Sequence, residues 1–252
     1  MANADECVSE DTLVPRGLSS AEVLEIWETR RGATMTRRAL ALLTASLPDT
    51  DSSRIASLPI GVRDQLLLRL RSACFGGRLE CLCHCPKCEE TAEFSTAIGD
   101  LLVSENAQTQ YENAIEVDGR EIKVRPVNSH DLLGLEGRQS EDRVIGLLRR
   151  CTSGLDQPLS LSKDVIDQLS ETLGKLDPGA DIKFSLSCPA CNHLWSSTFD
   201  IASYLWAEIE MAARRLLPEI HALARSYGWS EKEILALSPT RRRSYLELIG
   251  AY

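Results

Sequence analysis

Aromatic residues, histidines and basic residues are scarce in this chain of 252 residues. Aromatic side chains make up 5% of the sequence, and four residues are histidine. Lysine and arginine total 28 against 37 aspartate and glutamate, which gives a formal net charge of -9. A field of this sign repels nucleic acid and anionic membranes, so it disfavours a protein that coats DNA. The few histidines leave few candidates for general-base catalysis.

Long apolar runs and the common catalytic motifs are absent as well. No window approaches the roughly 20 consecutive apolar residues that a membrane helix needs. Acidic residues occupy the start of the chain, where a signal peptide would carry positive charge. A glycine-rich phosphate loop, a nucleophile elbow and an HExxH motif do not occur. We therefore predict a cytoplasmic protein that is not an enzyme and has no membrane partner.

Cysteine, in contrast, is abundant. The chain has nine cysteines. Their number is odd, several are clustered, and the sequence shows no export signal, so metal ligation is favoured over a disulfide framework. Two copies of a CPxC motif occur, Cys85-Pro-Lys-Cys88 and Cys188-Pro-Ala-Cys191, each followed by a phenylalanine, Phe94 or Phe199. Two such turns supply the four thiolates that structural Zn²⁺ prefers. We predict a structural zinc bound by Cys85, Cys88, Cys188 and Cys191, with no position open for a catalytic water.

The neighbours of these motifs offer other ligands. Cys81, Cys83 and His84 directly precede the first motif, and His193 follows the second. The CPxC cysteines are preferred because only they repeat the same form. Two other interpretations stay open: the cysteines are reduced and merely buried, or one CxxC is a redox pair. A redox CxxC usually begins a helix, whereas both motifs here lie in strand-like sequence.

The two motifs are far apart in sequence. Ninety-nine residues separate Cys88 from Cys188, where a compact ribbon uses roughly 15 to 20. Closing a longer loop costs only about 0.6 kcal/mol per doubling, whereas structural zinc contributes on the order of 10 to 16 kcal/mol. The metal can therefore hold together the two ends of an inserted module.

Local signals indicate the secondary structure of the N-terminal part and the insertion. Apolar periodicity predicts helices at about 21–30 and 39–47, and a further helix between Pro59 and Gly76. Ser19 and Glu22 predict a capping box for the first of these. In the insertion, Asp118-Gly119 predicts a hairpin, and helical patterns follow at 141–151 and 163–176.

The C-terminal part has the strongest helical pattern. A long amphipathic helix is expected from Asp200 to Tyr227, kinked or divided at Pro218, and two short helices follow. The predicted fold class is thus α+β and mainly helical, with split zinc-ribbon-like knuckles and an α+β insertion between them. The expected segments are a mobile acidic tail (1–17), an N-terminal helical unit (18–78), a first zinc knuckle (79–100), the insertion (101–180), a second zinc knuckle (181–199) and a C-terminal amphipathic helical segment (200–252).

Aromatic residues gather near the C-terminus. Eight of the thirteen lie from Trp195 onward, and they belong to a helical core, to a partner-binding surface, or to both. Residues 200–252 contain seven acidic and seven basic residues, so an acidic protein patch is a better partner than nucleic acid. The predicted partner-binding residues are Tyr227, Trp229, Arg241, Arg242 and Arg243.

The sequence resembles a known family. The run from His221 to Ile249, with the pattern LA..YGWSE.EIL.LS..RR..YL, resembles the C-terminal end of T-even-phage-type baseplate hub assembly chaperones, found also in contractile injection systems. Two further segments are similar to the longer members of this family: LLLRLRSACFG before the first CPxC motif and FDIASYLWAEIE after the second. The resemblance covers roughly residues 18–100 and 180–252, and it does not extend to the insertion.

The resemblance implies a non-catalytic role in tail assembly. The chain would bind hub, spike or wedge proteins of a contractile baseplate during assembly, or remain as a minor baseplate component. Its expected location is the cytoplasm, and retention in the finished particle is left open. The alternative is a zinc-ribbon adaptor for nucleic acid or a transcription complex, against which the acidic charge and the lack of alternating basic and aromatic residues count.

Overall fold

The N-terminal unit of the computed structural model is helical. The structure describes residues 13–102, 111–117, 119–153 and 162–251, so residues 1–12 of the expected tail and Asp118 of the expected turn lie outside the described residues. The unit contains α1 (Ser20–Arg30), α2 (Met35–Ser46), α3 (Ser52–Ser57) and α4 (Ile60–Phe75). The three predicted helices are confirmed. Helix α3 was not predicted; it is a short helix whose first amides donate to the Asp51 carboxylate.

The C-terminal segment completes this unit. It contains α8 (Ile201–Tyr227), α9 (Glu231–Ala236) and α10 (Pro239–Leu248). We call α1 to α4 together with α8 to α10 the frame. One hydrophobic core runs through it and includes residues from both ends of the chain. Its most deeply buried members include Leu42, Leu43, Leu67, Leu68, Leu205, Ile209 and Leu223.

The helix ends follow the capping signals of the sequence. The capping box of α1 is confirmed, because the Glu22 amide donates to the Ser19 hydroxyl and the Ser19 amide donates to the Glu22 carboxylate. Helix α8 begins at Asp200, whose carboxylate accepts the amides of Ala202 and Ser203. It ends at Gly228, which has a φ of 70° in the left-handed region, where glycine carries no Cβ penalty.

Pro218 does not divide α8. The helix is continuous from Ile201 to Tyr227, so of the two expected outcomes, a kink or a division at Pro218, the division is wrong. Pro218 is exposed, while Leu216 and Ile220 on either side are buried in the frame core. Packing on both sides therefore keeps the helix intact despite the one amide donor that proline lacks.

Residues 13–17 do not belong to a mobile tail. Leu13 is buried in the frame core, the Arg16 amide donates to the Ser46 carbonyl over 3.0 Å, and the Arg16 guanidinium pairs with Glu22. The predicted boundary at residue 17 is therefore wrong for this stretch. The acidic composition of the preceding residues concealed an apolar anchor at Leu13.

The insertion has its own small core. It contains β3 (Asn113–Val117), β4 (Arg120–Val124), α5 (Ser129–Leu133), α6 (Ser140–Cys151), β5 (Thr152–Ser153) and α7 (Lys163–Leu176). The predicted hairpin is confirmed as β3 and β4, and Gly119 in its turn has a φ of 71°. The predicted helices are confirmed as α6 and α7. Their buried residues form a separate cluster with β4: Ile122, Val124, Leu148, Val165, Leu169 and Leu176.

The insertion docks on α2, α3 and α4 of the frame. The Ile60 amide donates to the Val127 carbonyl over 2.9 Å. The Gly61 amide donates to the Asp177 carboxylate over 2.7 Å, at a point where the two backbones approach closely. Arg37 of α2 forms an ion pair with Glu136 at 2.9 Å. The insertion thus contacts the frame directly as well as being tethered at its ends.

Gly61→Ala should weaken this docking. A Cβ at position 61 would lie 2.1 Å from an Asp177 oxygen and 2.7 Å from the Ala180 amide nitrogen. We expect a loss of about 1 to 3 kcal/mol in the free energy of unfolding, as for other overpacked sites. The matched control is Gly174→Ala in α7, where a Cβ meets open space and should stabilise by about 0.5 to 1 kcal/mol. Equal urea midpoints for the two variants would contradict the docking described here.

Candidate metal centre

The cysteine motifs lie at the tips of two antiparallel hairpins. Strands β1 (Arg78–His84) and β2 (Thr91–Ala97) form the first hairpin, and β6 (Lys183–Ser187) and β7 (Leu194–Thr198) form the second. The first leaves α4 and leads into the insertion, while the second returns from the insertion to α8. The hairpins therefore stand at the two junctions between the frame and the insertion.

The two hairpin turns have the same backbone geometry. In the first, the Cys85 amide donates to the Glu90 carbonyl and the Glu89 amide donates to the Cys85 carbonyl. In the second, the Cys188 amide donates to the carbonyl of residue 193 and the Asn192 amide donates to the Cys188 carbonyl. The residue after each motif has a positive φ, 61° at Glu89 and 54° at Asn192. The similarity between the motifs thus extends from sequence to structure.

The structure brings the four predicted cysteines together. Their Sγ atoms all lie within 4.8 Å of one another. Two of the separations cross between the hairpins, 3.7 Å from Cys85 to Cys191 and 3.5 Å from Cys88 to Cys188. Four sulfurs around a zinc at about 2.3 Å are roughly 3.8 Å apart in a tetrahedron, whereas disulfide sulfurs are about 2.05 Å apart. The donor set and its spacing therefore fit a tetrahedral zinc.

The ionisation of the thiols is consistent with a cation site. Burial opposes the thiolate of Cys188, but the amides of Cys191 and Ala190 and the adjacent sulfurs lower its pKa to about 7. At Cys88, the amide of Glu90 favours the thiolate, but contacts with the sulfurs of Cys191 and Cys188 outweigh it and raise its pKa to about 12. Because like charges this close disfavour one another, a bound cation would favour the thiolate forms of Cys88 and Cys188.

The competing ligands lie outside this cluster. Among the described residues, the four cysteines are the one group of three or more potential ligands within reach of a single ion. The Cys83 thiol contacts the Ala92 carbonyl at 3.5 Å. The His84 Nδ1 atom lies 3.3 Å from the Thr91 hydroxyl, and the His193 ring stacks on Trp195.

Aromatic rings join the hairpins to one another and to the frame. Phe94 of β2 and Phe184 of β6 lie 5.0 Å apart, measured between ring centroids. Phe184 also contacts Phe199 at 5.5 Å, and Phe199 contacts Tyr204 of α8 at 5.4 Å. The hairpin interface therefore has a thiol cluster at its tips and a line of aromatic rings that leads to α8.

Arg71 fixes the first hairpin to the frame and was missed by the sequence analysis. Its guanidinium donates twice to Glu208 of α8, over 2.9 and 2.7 Å, and once to the Gly76 carbonyl over 2.6 Å. It also donates to the Arg78 carbonyl at the start of β1. Arg71 is buried. Its position in the apolar run LLLRLR could have indicated a buried ion pair.

The C-terminal aromatic residues form a compact group. Tyr227 and Trp229 stack with centroids 4.6 Å apart, and Tyr245 of α10 packs against them at 5.6 and 4.9 Å. We call these three residues the aromatic triad. Trp229 and Tyr245 also pack against the frame core, while Tyr227 is 37% exposed. The triad therefore serves the core and presents one ring at the surface.

The three consecutive arginines of α10 do not share one surface. Arg241 and Arg243 are exposed, but Arg242 is only 2% exposed. Its guanidinium pairs with Glu219 of α8 at 2.8 Å and donates to the Ser20 hydroxyl at 3.3 Å. Arg242 was predicted to contact a partner, but its buried side chain ties α10 to α8 and α1, so the proposed contact below uses Arg241 and Arg243 only.

The family model described as T4 bacteriophage base plate protein matches residues 24–206, more than half of the chain. The chain belongs to this family and is a phage baseplate component, so its partners include other baseplate proteins. No curated protein and no solved structure gives a significant match.

The extent of the match differs from that of the sequence resemblance. The matched region runs from α1 into α8 and includes both CPxC motifs and the whole insertion. The baseplate assignment is confirmed, but the C-terminal run from His221 that carried much of the resemblance lies beyond the match. Within the described part of the chain, no helix combines the length and apolar character needed to span a membrane.

Proposed function

We propose that the protein is a non-enzymatic hub assembly factor or minor baseplate component of a contractile tail, stabilised by a structural zinc. The observation that carries the zinc proposal is the convergence of four Sγ atoms from the two junction hairpins. Cys85, Cys88, Cys188 and Cys191 would hold the metal, which would supply a cross-link and no reactive chemistry. Family membership favours this role over a zinc-ribbon adaptor.

We call the proposed zinc site with its four cysteines the clasp, because it would link the tips of the two hairpins. The hairpins join the insertion to the frame, so a link between their tips fixes the insertion at its entry and exit points. The aromatic contacts and the Arg71–Glu208 pair continue this connection into α8. The protein can then present frame and insertion to hub, spike or wedge proteins in one fixed arrangement. Assembly begins in the cytoplasm, and the product resides in the phage particle.

The C-terminal surface is the proposed contact with one of these partners. The exposed ring of Tyr227 lies beside Trp229, and exposed Arg241 and Arg243 belong to the helix that also carries Tyr245. Aromatic and arginine side chains are frequent anchors of protein interfaces. An acidic patch on a baseplate partner is the complementary surface.

Reversing two charges should block this contact without unfolding the protein. We expect Arg241→Glu combined with Arg243→Glu to lower partner association by about tenfold or more, because like charges would face the acidic patch. The free energy of unfolding should change by no more than about 0.5 kcal/mol, as for other surface variants. Particle yield and electron microscopy of baseplates are the measurements.

The control for this experiment is Arg225→Glu on exposed α8 surface. Normal baseplates with the double variant would refute the C-terminal contact. Deleting residues 226–252 is a poorer test, because it also removes Ile234 and Leu246 from the frame core and the Arg242–Glu219 pair.

A further inference from the structure

A groove between α1 and α2 is a second feature of the frame. It has a volume of about 510 Å³. On each helix the lining residues recur every three or four positions, so they belong to one face of that helix. The apolar residues among them include Ile26, Leu40, Ala41 and Ala45. We call it the frame groove. The residues that line it are Glu22, Glu25, Ile26, Thr29 and Arg30 of α1, Arg37, Leu40, Ala41, Thr44 and Ala45 of α2, and Ser52 and Leu133.

The charges of the frame groove are separated along its length. Glu22 and Glu25 lie toward the N-terminal end of α1, and Arg30 lies at its C-terminal end. Arg37 near the start of α2 belongs to the same basic end, since the Arg38 side chain next to it donates to the Arg30 carbonyl. The groove thus has an apolar floor, an acidic end and a basic end.

Two of these charges have no partner within the described part of the chain. Glu22 is paired with Arg16, and Arg37 is paired with Glu136. The side chains of Glu25 and Arg30 are exposed and make no ion pair or hydrogen bond with another described residue. Five residues along a helix correspond to about 7.5 Å, so opposite charges one to two turns apart on a partner helix would match them.

We propose that the frame groove binds an amphipathic helix of another baseplate protein. Its apolar face packs on Ile26, Leu40 and Ala41, as helices fill grooves between helices. Its basic side chain faces Glu25, and its acidic side chain faces Arg30. The mixed charge of the groove disfavours nucleic acid, which requires a continuous basic surface. The proposal rests on the baseplate role, and it is independent of the zinc and of the C-terminal surface.

Site-specific photocrosslinking in cells that assemble the particle tests the proposal. A benzophenone amino acid at Thr44, an exposed wall residue, should crosslink to another baseplate protein. Mass spectrometry should place the crosslink in a segment with helical apolar periodicity and a basic and an acidic residue one to two turns apart. Combining Glu25→Arg with Arg30→Glu should lower the crosslink yield about tenfold, because each new charge would face a like charge.

The control is Glu28→Arg, which changes an exposed α1 residue outside the groove. It should leave the crosslink unchanged, and circular dichroism should give all variants the parent midpoint. A crosslink to a second copy of this chain, to nucleic acid or to a segment without that pattern would overturn the proposal. So would the absence of a crosslink, or an unchanged yield in the charge-swapped variant. If the Arg241 and Arg243 variant assembles normally while the swap still lowers the yield, only the C-terminal contact fails.

Discussion

Cys188→Ser should release the clasp between the two hairpins. Serine is a poor zinc ligand, so the variant should lose the proposed metal and leave three thiols that repel one another when ionised. Structural zinc contributes on the order of 10 kcal/mol in isolated zinc peptides. The packed frame and the aromatic contacts here remain, so we expect a loss on the order of 5 kcal/mol in the free energy of unfolding.

The matched control for this variant is Cys83→Ser. Cys83 belongs to the same cysteine-rich stretch and is half-buried on β1, but it lies outside the four-thiol cluster. We expect it to retain the metal and to lose no more than about 1.5 kcal/mol. Hydrogen exchange should show new opening in β1, β2, β6 and β7 for Cys188→Ser only. Equal metal content and equal exchange in the two variants would contradict the clasp.

Arg71→Met should destabilise the frame more than any surface variant. Arg71 and Glu208 are largely buried, with 6% and 17% of their side chains exposed. Removing one partner of a buried pair leaves an uncompensated charge and costs about 3 to 5 kcal/mol. For a protein of this size, that loss lowers the thermal midpoint by roughly 6 to 20 °C.

Arg78→Met provides the comparison. Arg78 pairs with Glu80 at 2.9 Å, but both side chains are more than 70% exposed. Such a pair contributes at most about 1 kcal/mol. Calorimetry of the two variants measures the difference, and similar midpoints would show that the Arg71–Glu208 pair does not hold the first hairpin to α8.

Local signals were sufficient to predict much of the fold and the four-thiol cluster. Ser19 with Glu22 determines the start of α1, and Gly119 determines the turn of the β3–β4 hairpin, because each depends on residues that are adjacent in sequence. The CPxC motifs indicate the metal site for a similar reason. Each motif alone determines a turn that directs two thiols to one side. The four-thiol cluster therefore forms once the fold brings the two turns together.

Features that depend on distant partners were not predictable in this way. Arg71 meets Glu208 from a position 137 residues away, and Arg242 meets Ser20 from 222 residues away. The burial of such an arginine cannot be predicted from its neighbours in sequence, because it depends on these distant partners. The anchor at Leu13 was concealed by acidic neighbours, and the continuity of α8 through Pro218 depends on packing against the frame.

The insertion belongs to the region that the family model matches. The match is continuous across it, and the insertion contacts α2, α3 and α4 in addition to its tethers. The proposed zinc site would hold the two ends of the insertion together as well, and would thereby restrict its movement relative to the frame.

X-ray absorption at the zinc edge of the purified full-length chain is the most direct test of the clasp. We expect one zinc per chain with four sulfur neighbours at about 2.3 Å and no nitrogen or oxygen ligand. Removal of the metal by a chelator should lower the thermal midpoint, and zinc should restore it. A metal-free protein whose midpoint is the same with and without zinc, or a site with oxygen ligands, would contradict a structural zinc bound by the four cysteines.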